Sequence, residues 1–250
     1  MMRYRLWFII FLTMFGGAAV KAQTSRASTA ASYIERGNDW LAKGALDLAI
    51  ADYDLAIATY PGMAMAYLRR GEARRTKGDI DGAIRDYTKA LEISPRLIEA
   101  YNNRGSILFV RGEIAEALTD LNTAIQFGPD QATAYQNRGV VRQHMGELEG
   151  AMKDFNRAIE IAPRYAEAYN CRGAVWSEKG DLDLAIKDFS RSIKLNPHYY
   201  GAFANRGLAL LRMGRETEAQ KDFNQCLKLK PNLKPYLERQ IQEVKRKTRT

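Results

Sequence analysis

Apolar and small residues return at one interval of 34 positions along most of the chain. An aromatic (Tyr33, Tyr67, Tyr101, Tyr135, Tyr169, Phe203) is followed four residues on by a glycine (Gly37, Gly71, Gly105, Gly139, Gly173, Gly207). A second glycine comes seven residues later (Gly44, Gly78, Gly112, Gly146, Gly180, Gly214), and then an alanine (Ala49, Ala83, Ala117, Ala151, Ala185, Ala219). A second aromatic or a leucine (Tyr53, Tyr87, Leu121, Phe155, Phe189, Phe223) and a closing proline (Pro61, Pro95, Pro129, Pro163, Pro197, Pro231) complete each unit. Each unit reads as two antiparallel helices. In the third, the first helix is expected from about Glu99 to Arg111, the turn at Gly112, and the second helix from about Ala115 to Phe127, ahead of Gly128 and Pro129. The second glycine suits a helix end, where the chain turns left-handed. The first costs roughly 1 kcal/mol inside a helix relative to alanine, so its recurrence implies close packing. Gly105 and Ala117 would let the two helix backbones approach, with Tyr101 and Leu121 filling the space beside them.

This order of aromatic, glycine, alanine, second aromatic and proline at a 34-residue period resembles the tetratricopeptide repeat. The resemblance covers Ala30 to Leu233 as six units: 30–63, 64–97, 98–131, 132–165, 166–199 and 200–233. It implies an all-α fold, a right-handed α-solenoid of six helix-turn-helix units whose first helices line a concave wall. It says little about function, because a repeat family shares a scaffold and varies the surface side chains. One position departs from the family pattern. Arginine precedes the first glycine in every unit (Arg36, Arg70, Arg104, Arg138, Arg172, Arg206), where the family usually has leucine, and aspartate stands sixteen residues later each time (Asp52, Asp86, Asp120, Asp154, Asp188, Asp222). The pattern predicts an Arg–Asp pair joining the two helices of each repeat, with a structural role.

Both ends of the chain lie outside the repeats. Arg3 and Arg5 precede an apolar stretch from Leu6 to Val20, shorter than the roughly 20 residues of a membrane-spanning helix, and Val20-Lys21-Ala22 offers small residues where a signal peptidase reads. Residues 1–22 are therefore expected to be a cleaved secretory signal, with an uncleaved anchor as the alternative, and 23–29 a short linker. The expected localisation is exported, periplasmic or secreted. Residues 234–250 break the period and read as a capping helix with a basic tail. Pro235 suits its first turn, Leu237, Ile241 and Val244 form one apolar stripe, and Lys245-Arg246-Lys247-Thr248-Arg249 is solvated. The formal charge is +9, of which Arg3, Arg5 and Lys21 would leave with the signal. Of the two cysteines, Cys226 replaces an alanine of the second helices and Cys171 faces the wall, so two free thiols are expected rather than a disulfide.

The chemistry of the wall comes from residues on one stripe of each first helix. Carboxamides recur there at Asn102, Asn103, Gln136, Asn137, Asn170 and Asn205. Each offers a donor and an acceptor and can pair with a peptide backbone without reading its sequence, so these six are the candidate peptide-binding residues. The first two repeats instead present Ile34, Leu41, Met65 and Leu68 with Arg69, Arg75, Glu35 and Glu72, a second pocket or a self-association contact. The lysine and asparagine by which some relatives clamp a terminal carboxylate are absent around the glycines.

Nothing points to catalysis. His144 and His198 lack metal-ligand neighbours, no phosphate-cradling loop or nucleophile elbow occurs, and the repeats leave no room for a catalytic domain. No cofactor or metal is expected. The function expected is a non-enzymatic scaffold that binds an extended or helical peptide segment of another protein along its concave groove, as adaptor or assembly factor. The alternative is binding of a polyanion or an anionic membrane surface through the basic C-terminal cluster. Nucleic acid is not an expected partner; weak contact with an anionic membrane surface and homo-oligomerisation through the first repeats stay open.

Overall fold

A computed structural model describes the backbone of residues 3–247 and the side chains of residues 23–247. The side chains of the expected signal, 1–22, and the end of the basic tail, Thr248 to Thr250, lie outside the described residues. Among the described residues there are helices and short turns but no strand, and no helix is long and apolar enough to cross a membrane. The chain divides into two compact units, Met1–Glu113 and Ile114–Thr250.

Unit 1 holds α1 (Arg3–Ala42), α2 (Leu46–Thr59), α3 (Ala64–Lys77), α4 (Ile80–Ile93) and α5 (Ile98–Val110). α1 pairs with α2 and α3 with α4, while α1, α3 and α5 adjoin as successive first helices. Unit 2 holds α6 (Ile114–Phe127), α7 (Ala132–His144), α8 (Leu148–Ile161), α9 (Ala166–Lys179), α10 (Leu182–Leu195), α11 (Tyr200–Arg212), α12 (Glu216–Leu229) and α13 (Lys234–Lys247). Its pairs are α7 with α8, α9 with α10 and α11 with α12; its first helices α7, α9 and α11 adjoin in order, and α13 takes the next place beside α11. Each unit is thus a stretch of all-α solenoid, and the helices of the third repeat, α5 and α6, begin and end within one residue of expectation.

Residues 23–29, expected as a linker, are helical and belong to α1, which runs unbroken into the first repeat. The segment has no glycine or proline to stop a helix. The hydroxyls of Ser28 and Thr29 donate back to the carbonyl of Ser25, both at 2.9 Å, and that of Ser32 to Thr29 at 2.8 Å, so the polar groups are satisfied inside the helix.

The two glycines of a repeat have different tasks. Gly78 ends α3 at φ of 93°, in the left-handed region, with its N–H reaching back to the carbonyls of Arg74 and Arg75. Gly71 instead makes room for a side chain. A Cβ built on it would stand 2.7 Å from Cε1 of Tyr87, and one on Gly139 2.6 Å from Cε1 of Phe155. The ring carried by the second helix lies over each of these glycines. At Gly173 a backbone atom joins the ring, the Ala185 carbonyl oxygen at 3.2 Å.

The Arg–Asp pairs form within each unit. Arg172 grips Asp188 as a fork, Nε to Oδ2 at 2.7 Å and Nη2 to Oδ1 at 2.8 Å, and Arg206 grips Asp222 likewise, both bonds 2.7 Å. Arg36–Asp52, Arg70–Asp86 and Arg138–Asp154 repeat the fork. The aspartates are buried. Arg104 lies in unit 1 and Asp120 in unit 2. Each arginine from the second repeat on has a further attachment that sequence reasoning missed: its third nitrogen, Nη1, donates to a residue sixteen positions earlier, on the second helix of the preceding repeat. The acceptors are Asp54 for Arg70, Thr88 for Arg104, Asn122 for Arg138, Asn156 for Arg172 and Ser190 for Arg206. One guanidinium therefore ties three helices, while its face lies over the aromatic three residues before it, 5.3 Å away for Arg36 over Tyr33 and 5.5 Å for Arg172 over Tyr169.

The C-terminal helix, read as breaking the period, keeps it. Leu237, Gln240 and Ile241 stand 34 residues after Phe203, Arg206 and Gly207. Leu237 is buried with Phe203, Phe223 and Cys226, and Ile241 and Val244 pack against that cluster, covering the apolar end of the last repeat. Isoleucine fits the glycine position because no ring from a second helix lies over it among the described residues. Both thiols are free.

Candidate functional site

Unit 2 presents α7, α9 and α11 side by side, and their facing side chains are hydrogen-bonded at a spacing of 35, one more than the repeat. Asn205 Nδ2 donates to Asn170 Oδ1 at 3.0 Å, Gln136 Nε2 to Cys171 Sγ at 3.5 Å, Gln143 Nε2 to Glu178 Oε2 at 2.9 Å, and Arg212 Nη1 to Ser177 Oγ at 2.9 Å. Two tyrosines that sequence reasoning passed over add to this row. They begin α9 and α11 and reach back to the preceding first helix: Tyr165 Oη donates to Gln136 Oε1 at 3.2 Å, and Tyr199 Oη accepts from Asn170 Nδ2 at 3.3 Å. A residue 29 positions before each tyrosine is its partner, a spacing visible in the sequence only after the repeat is known. Burial pushes the Tyr165 hydroxyl up to about 12 and the Cys171 thiol up to about 11, so both stay protonated at neutral pH.

Of the six carboxamides singled out by sequence, unit 2 brings Gln136, Asn137, Asn170 and Asn205 onto one face, and unit 1 carries Asn102 and Asn103 on α5. Five are half-buried. Asn170 is 7% exposed, with its donor and acceptor both engaged by neighbours, because Tyr199 closes over it from the next repeat. Beyond Asn205 the face opens into a cavity of about 570 Å³ with Ser177, Glu178, Arg212, Gln240 and Glu243 in its lining, so α13 supplies one wall.

Unit 1 has a different first-helix face. Arg69 Nη1 donates to Glu72 Oε2 at 2.8 Å, and Asn103 Nδ2 to Glu72 Oε1 at 3.2 Å. Tyr53, on α2, sends its hydroxyl to Asn38 Oδ1 at 2.8 Å. The apolar surface expected here is mostly interior: Leu68 is fully buried, Ile34 and Leu41 pack into the core, and Met65 is 37% exposed. Packing of α1 and α3 against their partners uses those side chains. No cluster of His, Cys, Asp and Glu able to hold a metal occurs among the described residues.

Comparison with known proteins agrees with this architecture. A profile described as TPR repeat matches residues 71–110 and 105–146, and profiles described as Tetratricopeptide repeat match 132–165, 166–199 and 200–233. No curated protein matches the chain. Among solved structures it is similar to the MamA protein, with 31% identity and a TM-score of 0.53, over 69% of this chain and 94% of that one. It is similar to Pseudomonas aeruginosa PilF, with 20% identity and a TM-score of 0.73, over 87% of this chain and 99% of that one. It is similar also to YrrB, a TPR protein with an unusual peptide-binding site, with 21% identity and a TM-score of 0.54, over 78% of this chain and 97% of that one. At the last two identities the likeness is one of fold. With its 34-residue period, its glycine-and-ring packing and these matched profiles, the chain belongs to the tetratricopeptide repeat family.

Proposed function

We propose that this chain is a non-enzymatic interaction scaffold that holds an extended or helical segment of another protein on the face of its first helices, as an adaptor or assembly factor. The observation that carries the reading is the row of carboxamides and phenols across α7, α9 and α11, locked to one another and bordering an open cavity. Side chains fixed before binding lose little rotamer freedom on binding, and each carboxamide has more hydrogen-bonding capacity than its neighbours use. YrrB, alike in fold, has a peptide-binding site. The same reading puts the protein outside the cytosol, on the strength of Arg3, Arg5, the run from Leu6 to Val20 and Val20-Lys21-Ala22.

Site-specific photo-crosslinking in the native cell tests it. A crosslinking amino acid at Gln143, on α7, should capture one protein reproducibly, with the crosslinked peptide identified by mass spectrometry. The same group at Lys187, exposed on α10, should not. Capture from Lys187 but not Gln143 would contradict the reading.

A further inference from the structure

In the first, second and fourth repeats the buried aspartate of the Arg–Asp fork has a further donor, from the residue three places after the first glycine. Arg74 Nη1 donates to Asp86 Oδ2 at 2.8 Å, and Arg142 Nη1 to Asp154 Oδ2 at 2.8 Å. In the first repeat the Arg36 fork holds the Asp52 carboxyl below its usual value, and the indole of Trp40 adds to this as a hydrogen-bond donor. Trp176 takes the same place in the fifth repeat, packed against the core around Ala185 and Phe189. The sixth repeat has Leu210 there, which carries no donor. Its aspartate, Asp222, is buried and receives only the two bonds of Arg206 among the described residues.

Beside Leu210 and Asp222 the sixth repeat has a cavity of about 320 Å³, at the lower end of the range for ligand sites, about 300–1,000 Å³. Ile186 and Ser190 of α10 line it together with Arg206 and Leu210 of α11 and Lys221 and Asp222 of α12. It therefore opens between two second helices and shares no residue with the row of carboxamides. Leu210 and Ile186 make one side apolar, and Asp222 supplies an acceptor. The charges around the cavity decide what fits. In the second and fourth repeats the arginine lies between two acids, with Arg74 Nε 3.7 Å from Asp79 and Arg142 Nε 3.9 Å from Glu147. The corresponding residue of the sixth repeat is Arg215, forked to Glu218 by two bonds of 2.8 Å. A guanidinium or ammonium guest would meet Arg215 and Lys221 in place of an acid, and an anion would meet Asp222. A neutral donor meets neither obstacle, and Trp40 is the example within this chain: an indole N–H beside the aspartate.

We infer that this cavity binds a small neutral aromatic molecule of the indole class, with its ring on Leu210 and Ile186 and its N–H donating to Asp222. A hydrogen bond to an ionised acceptor is stronger than one between neutral groups, and the carboxylate has lone pairs that the Arg206 fork leaves unused. Arg215, Glu218 and Lys221 complete the lining. A peptide would have to displace the Arg215–Glu218 fork to bring the same ring in, whereas a free molecule enters past it. The site is separate from the first-helix face, and the two stand or fall independently.

Titration of the purified chain with free indole, followed through its methyl NMR signals, tests this. Indole should bind with Kd of about 1 mM or below, shifting the methyl signals of Ile186 and Leu210 and giving nuclear Overhauser contacts from the ring to both. Benzofuran, the same bicycle with oxygen in place of the N–H, should bind at least about fivefold more weakly, the worth of one hydrogen bond. Leu210→Trp puts the chain's own indole at this place, as in the first and fifth repeats, so it should abolish binding of free indole without lowering Tm. N-acetyltryptophanamide, the ring as a protein carries it, should bind more weakly than indole. Should Leu210→Trp fail to fold, the contacts with Ile186 and Leu210 in the unaltered chain decide the question. Absence of binding, equal affinity for indole and benzofuran, contacts at other residues, or undiminished binding to a folded Leu210→Trp chain would overturn the inference. Tighter binding of N-acetyltryptophanamide than of indole would overturn the assignment to a free molecule.

Discussion

Removing Asp188 should destabilise the fifth repeat far more than loss of a surface ion pair. In the native chain its carboxylate is buried and receives Nε and Nη2 of Arg172 at 2.7 and 2.8 Å. Asp188→Ala removes both bonds and leaves the guanidinium in a place where its side chain is 23% exposed. Breaking a buried pair by deleting one partner costs about 3–5 kcal/mol. Two features move the value toward the lower end: water still reaches part of Arg172, and Nη1 keeps its bond to Asn156 at 2.8 Å. The expected loss is therefore about 3 kcal/mol. Because repeat arrays can unfold piecewise, the assay is native-state hydrogen exchange of the α9 and α10 amides alongside a urea titration. A double change, Arg172→Leu with Asp188→Leu, removes the stranded charge and should recover more than half of the loss. A cost below about 0.5 kcal/mol, the scale of exposed pairs, would refute the reasoning.

Four other outcomes follow. Fork hydrogen bonds from Arg36 hold the Asp52 carboxyl below its usual value, so this pair's contribution is present above the unfolded value, about pH 4, and is lost as pH falls through the folded one; Arg36→Gln should flatten that acid limb of a stability-versus-pH curve. Cys226, fully buried and with its thiol pushed up by that burial, should react with a thiol reagent at pH 8 only on unfolding, and rapid labelling of Cys226 in the native chain would contradict its burial. Gly139→Ala sets a Cβ 2.6 Å from the Phe155 ring and should lower Tm, with Phe155→Leu restoring part of the loss. Protein recovered from the exporting cell should begin at Gln23 by N-terminal sequencing, and a product that retains Leu6 to Val20 would contradict cleavage.

Much of the fold was legible because each repeat states it again. The Arg–Asp forks could be read from identity at two positions in every unit, whereas the third arm of the arginines from Arg70 on escaped notice because its acceptors differ: Asp54, Thr88, Asn122, Asn156 and Ser190 share only the capacity to accept a hydrogen bond. The carboxamides were legible as a row, but the burial of Asn170 was not. It depends on Tyr199, which belongs to the start of the next first helix and reaches back across the junction. The period of α13 was hidden by Ile241, which stands where glycine marks every other first helix. The helical state of residues 23–29 was missed because Ser and Thr there read as loop formers, although their hydroxyls are satisfied within α1.

The affinity of the crosslinked partner, measured on chains altered at one face at a time and across a range of salt, tests the scaffold reading most directly. Gln143→Ala with Asn205→Ala changes two half-buried side chains of the first-helix face and spares Asn170. Loss of two hydrogen bonds, each worth roughly 1 kcal/mol net, should weaken binding about thirtyfold, with modest dependence on salt and little effect from deleting residues 245–250. Unchanged affinity in the double variant, together with binding that falls steeply with salt and disappears with residues 245–250, would contradict the account and favour a polyanion held by the basic end.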